Sequence, residues 1–163
     1  MTTFKMDEPN LQVLIATADL GAMAFTYGDL CFPDKCGSGA NFAVTVEKVT
    51  GGIIESFEEN DCKVTLADEE YIVMLIAVRG AFEAFMSLSE GGIKRMLNMF
   101  TDELKGCEKS DRKQMAHTAH VVLDFLECHA SPRVMNIWIE ERKDSAKTML
   151  ENVTDAYGRV GER

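Results

Sequence analysis

His117, His120, Asp124 and Cys128 are spaced three, four and four residues apart. On a helix that spacing brings all four to one face, and imidazole, carboxylate and thiolate are the usual ligands of a transition metal. A single straight face cannot surround a tetrahedral ion with four of its own side chains, so such a centre needs ligands from elsewhere in the chain. A metal-dependent helical enzyme using His117, His120 and Cys128 is thus one alternative; the other is that these are polar positions on an apolar helix. Cys31 and Cys36, five apart in GDLCFPDKCGSG, fit no zinc ribbon and read as loop thiols. Nucleophile motifs and phosphate loops are absent, and Gly51-Gly52 and Gly91-Gly92 lack the flanks of a dinucleotide fingerprint. The reading therefore carries no catalytic residue, no metal and no cofactor, and an enzyme is not favoured.

The chain that must position these residues has 163 of them, enough for one domain with a real core, taken as 1–163. Asp and Glu number 27 against 17 Lys and Arg, a formal charge of -10, and no basic stripe occurs, which argues against nucleic acid as a partner. The N-terminus MTTFKMDEPN lacks the apolar region of a signal peptide, and no apolar run is long enough for a membrane span. Five loosely spaced cysteines fit free thiols in a reducing compartment, so a cytoplasmic location is expected, although the odd one can bridge two chains on oxidation.

Hydrophobic periodicity divides the chain into helices. Residues 1–8 read as a flexible polar arm. Leu11, Leu14, Ile15, Ala18, Ala22 and Phe25 recur at helical spacing over 9–27, with Pro9 acceptable in the first turn. A loop follows over 28–39. Phe42, Val46, Val49, Ile53 and Phe57 also have helical spacing, but Phe42, Val44 and Val46 alternate as a strand would, and Gly51-Gly52 interrupts; helix is preferred and strand remains open for 42–50. ESFEENDCK reads as a solvated turn. Thr65-Leu66-Ala67-Asp68 resembles a capping pattern ahead of a strongly apolar helix from Tyr71 to Met86.

Ser89 to His129 then reads as two apolar helices joined near Gly106, with Ser110-Asp111 capping the second. Both arms are apolar on more than one side, which predicts a central hairpin covered by other helices. Ser131-Pro132 signals a restart, and whether 133–157 forms one helix or two is left open by the pattern. Four of ten methionines (Met86, Met96, Met99 and Met115) lie at or beside the hairpin, where they serve either as core filler or as an adaptable binding surface.

Gly92-Ile93-Lys94-Arg95 followed by MLNMFTDEL and Cys107, Trp138-Ile139 after LDFLECHASP, and Tyr157-Gly158 come in an order that resembles the Bcl-2 family of apoptosis regulators. Of the Asn-Trp-Gly-Arg signature that opens the family's central helix, only Arg95 is kept. The segment from Pro132 to Tyr157 is longer than the family's, and the second helix lacks the leucine and glycine-aspartate pair of its third homology region. The resemblance covers roughly residues 70–158 and rests on order more than on any single motif.

The resemblance implies an all-α bundle of roughly six to eight helices around a central hydrophobic hairpin. It also implies a groove for the amphipathic helix of pro-apoptotic proteins. By carry-over, Phe82, Phe85 and Met86 would wall that groove, Leu97 would form its floor and Tyr157 would line one end. Arg95 would bond the ligand's aspartate, a contact of about 1.5 to 3 kcal/mol when partly buried. The implied function is an anti-apoptotic regulator, with the compact form of the family's viral members, acting in host–virus interaction. It would be cytoplasmic, reaching the mitochondrial outer membrane through partners. A homodimer is compatible with the sequence. The rival from a different class is an acidic helical adaptor or chaperone-like dimer that binds another protein.

Overall fold

The computed structural model describes residues 1–27, 36–87 and 109–141. These form β1 (Thr2–Lys5), α1 (Glu8–Tyr27), α2 (Cys36–Glu59), β2 (Lys63–Leu66), α3 (Asp68–Ser87), α4 (Lys109–His129) and α5 (Pro132–Glu141). The described residues are thus mostly helical, in five helices, with one small sheet.

That sheet replaces the polar arm expected over 1–8. β1 runs antiparallel to β2, with Thr2 opposite Leu66 and Phe4 opposite Val64. Alternation decides it: Thr2, Phe4, Val64 and Leu66 turn inward, while Thr3, Lys5, Lys63 and Thr65 stay exposed. Phe4 meets the rings of Tyr71 and Phe125 edge-on, with centroids 6.4 and 5.5 Å away. One buried aromatic therefore ties the N-terminus to two helices.

Asp7 opens α1, its carboxylate accepting the Asn10 N–H at 2.9 Å. In α2 the helical reading of 42–50 holds. Phe42, Val46, Val49 and Ile53 are all buried on one side, and Val44, which a strand would have buried with Phe42 and Val46, is 50% exposed. The helix starts earlier than expected, at Cys36, and runs through ESFEE to Glu59. Only then does the chain turn, through Asp61 and Cys62 at φ 56 and 63°, a left-handed pair that aims β2 back along β1.

Thr65 and Leu66 belong to β2 and do not cap α3. The return half of a capping box forms one step later, with the Ala67 N–H donating to Glu70 Oε1 at 2.9 Å. Ser131 does cap α5, its Oγ accepting the Val134 N–H at 3.2 Å with Pro132 in the first turn.

Among the described residues the most enclosed element is α3, and not the second arm of the expected hairpin. Every residue from Tyr71 to Val78 is buried, because α1 packs on one side of this helix and α4 on another. The hairpin's first arm lies outside the described residues. Its second arm, α4, is amphipathic: Ala116, Ala119, Leu123 and Leu126 are buried at helical spacing, and Gln114, His117, Val121 and Asp124 are exposed. Tyr71 fastens α4 to α3 by donating its hydroxyl to the Leu126 carbonyl. Asp68 gathers the start of the fold, accepting from the N-terminal amine at 3.4 Å and from Arg133 of α5 at 3.3 Å.

Candidate functional site: a groove between two helices

An open groove of about 580 Å³ runs between α1 and α4, in the size range of ligand clefts. Its near end is the exit from β1, with Lys5 and Met6. One wall is the first half of α1, with Asn10, Val13 and Leu14; the other is α4, with His117, Thr118, Val121, Val122 and Phe125. Val13 is 39% exposed and Val121 53% exposed, so each wall offers an apolar side chain that its own helix leaves uncovered. Leu14, at 1%, joins the groove to the core.

Two of the polar groups at the rim are engaged. Asp7 is spent on the α1 cap, and the Thr118 hydroxyl donates to the Gln114 carbonyl of its own helix at 3.0 Å. Lys5 has no ion-pair partner among the described residues. Phe125 is held at the groove's inner edge between Phe4 and the His129 ring, the latter 4.2 Å away centre to centre. The surface is thus a mostly apolar trough with one cation at its end, chemistry suited to holding an apolar segment.

The expected site residues are distributed differently. Arg95, Leu97 and Tyr157 lie outside the described residues. Phe85 is 2% exposed, packed with Leu20, Ala24 and Ala116, and belongs to the core. Phe82 is half-buried at the α3–α4 seam, with the His120 ring edge-on at 5.6 Å and the Arg79 guanidinium over its face at 5.9 Å. Met86 is 62% exposed at the end of α3. Phe82 and Met86 therefore remain on the surface, away from the groove lined by Val13 and Val121.

The helix face that suggested metal binding is divided. His120 contacts Asp124 at 3.3 Å, whereas His117 lines the groove, and among the described residues no three His, Cys, Asp or Glu side chains gather as a metal centre. Cys128 is exposed; burial, with the neighbouring Cys128 sulfur adding to it, pushes the Tyr71 phenol far above its ordinary range, so Tyr71 stays a neutral donor to Leu126.

Sequence reasoning missed Val13 and Val121. Both are out of phase with the buried positions of their helices, and such a residue is a signal; pairing them required knowing that α1 and α4 are neighbours. Among the described residues no helix is long and apolar enough to cross a membrane. No family model, curated protein or solved structure matches this chain.

Proposed function

We propose that this chain is a binding protein that sequesters the amphipathic helix of a partner, and that the partner is a pro-death protein of the kind the Bcl-2 resemblance implies. The observation that carries the reading is the apolar groove between α1 and α4, with Val13 and Val121 exposed on opposite walls. A ligand helix presents anchors at i, i+3 or i+4, and i+7, a ridge that fills such a trough while its polar face stays in water. Covering Val13 and Val121 supplies the hydrophobic gain. The outcome in a cell is a block on death signalling by capture of the ligand.

Titration of labelled peptides carrying pro-death helices tests this, with a dissociation constant below about 10 µM expected for at least one. Val121→Glu weakens that binding by about tenfold or more, equivalent to about 1.4 kcal/mol. Arg95→Glu is the companion variant. If it alone weakens binding while Val121→Glu does not, the α1–α4 groove is not the site. Failure of every peptide to bind defeats the proposal.

A further inference from the structure

The outward face of α2 carries two glycines in the middle of a 24-residue helix. Glycine weakens a helix interior relative to alanine, and is kept where a backbone must approach closely. Gly21 of α1 shows that use within this fold, since a Cβ there would collide with the Ala77 backbone of α3. Gly51 and Gly52 are the opposite case: both are exposed, and a Cβ on either meets nothing within 4 Å. Among the described residues their missing side chains make room for nothing.

We infer that this face is a self-association surface, on which α2 of a second copy of the chain crosses antiparallel at Gly51-Gly52. The charges around the glycines select that occupant. Val44, Lys48, Gly51 and Glu55 follow one another at intervals of four, three and four, opposite the buried Val46, Val49 and Ile53, and all four are exposed. Lys48 and Glu55 are two turns apart on the same helix, too far to pair with each other, and neither has an ion-pair partner among the described residues.

A twofold axis passing between Gly51 and Gly52 sets Lys48 opposite Glu55 of the second copy, and Glu55 opposite Lys48 of the second copy. It also lays Val44 on the methylenes of Glu59 of the second copy. A parallel crossing would instead put lysine on lysine and glutamate on glutamate. The surface is therefore complementary to itself in the antiparallel sense only, as a twofold interface requires. With no Cβ at the crossing, the two helices can approach more closely than the usual 8–10 Å between axes. The α1–α4 groove is formed by other helices, so this association is independent of peptide binding.

Sedimentation equilibrium on the full chain is the test, with circular dichroism confirming that each variant keeps its helices. The expected result is a monomer–dimer equilibrium in the micromolar range. Gly51→Leu and Lys48→Glu should each raise its dissociation constant at least tenfold, and the charge swap Lys48→Glu with Glu55→Lys should restore it. A wild-type chain that stays monomeric to high micromolar concentration overturns the inference. So does a dimer indifferent to Gly51→Leu and Lys48→Glu, or a swap that fails to restore what the single reversal removed.

Discussion

A Cβ placed on Gly21 would lie 1.6 Å from the carbonyl oxygen of Ala77. The α1 and α3 backbones therefore touch at this crossing, and hydrogen is the only side chain that fits. Gly21→Ala must push the helices apart or rotate one of them, in a region where Ala18, Ala22, Ala77 and Ala81 are all buried. Overpacking of this kind costs about 1 to 3 kcal/mol, and contact with backbone places Gly21→Ala at the upper end. A lowered chemical-denaturation midpoint with unchanged m-value checks it. Gly51→Ala provides the control: its methyl enters open space, so the same measurement at low protein concentration should show a gain of about 0.5 to 1 kcal/mol.

Asp19 gives the fold a pH dependence of unusual sign. Burial, reinforced by the charge of Glu47, pushes its carboxyl up from 3.8 to about 6. A raised carboxyl binds its proton more tightly in the folded chain than in the unfolded one. Asp19 therefore favours folding most below pH 3.8, and that contribution is lost as pH rises through about 6. The side chain is only partly buried, so solvent screening reduces the penalty at neutral pH to the order of 1 kcal/mol. Asp19→Asn should stabilise the protein at pH 7.5 and change little at pH 3.5, read as Tm differences at the two values. Equal shifts at both would remove Asp19 as the cause.

Trp138 reports the docking of α5. It is 1% exposed, and its indole N–H donates to Glu127 Oε1 of α4 at 3.1 Å. As the chain's one tryptophan, it gives a single-site fluorescence signal, with native emission expected toward the blue and a red shift on unfolding. Trp138→Ala empties a large buried site and should cost about 3 to 5 kcal/mol. A native spectrum already at the solvent-exposed wavelength would show that α5 does not pack as described.

The parts of this fold legible in the sequence are those whose signal is local. Leu11, Leu14, Ala18 and Ala22 marked α1, and Ser131-Pro132 marked the start of α5, because each feature lies within a few residues of the structure it dictates. For α2 the spacing of Phe42, Val46, Val49 and Ile53 outweighed β-branching, since only a helix buries those four and leaves Val44 in water. The strand Thr2–Lys5 escaped notice because TTFK has one large apolar residue and its partner begins at Lys63. The enclosure of the hairpin's second arm was misjudged for a similar reason. Both α3 and the hairpin are rich in apolar residues, and only packing shows that α3 is enclosed while α4 keeps a wet face.

Phe4 is the residue on which β1 and one end of the groove both depend. Its 4% exposure comes from contacts with Tyr71 of α3 and Phe125 of α4, and Lys5 and Met6 beside it form the groove's near end. Phe4→Ala should remove about 3 to 5 kcal/mol of stability. It should also release β1, seen as faster hydrogen exchange at the Val64 and Leu66 amides that face it. Phe4→Leu retains most of the apolar volume and should hold the strand, at a cost of about 1 to 1.5 kcal/mol. Should Phe4→Ala leave exchange at Val64 and Leu66 unchanged, β1 is held by its backbone pairing alone. The groove would then not depend on this ring.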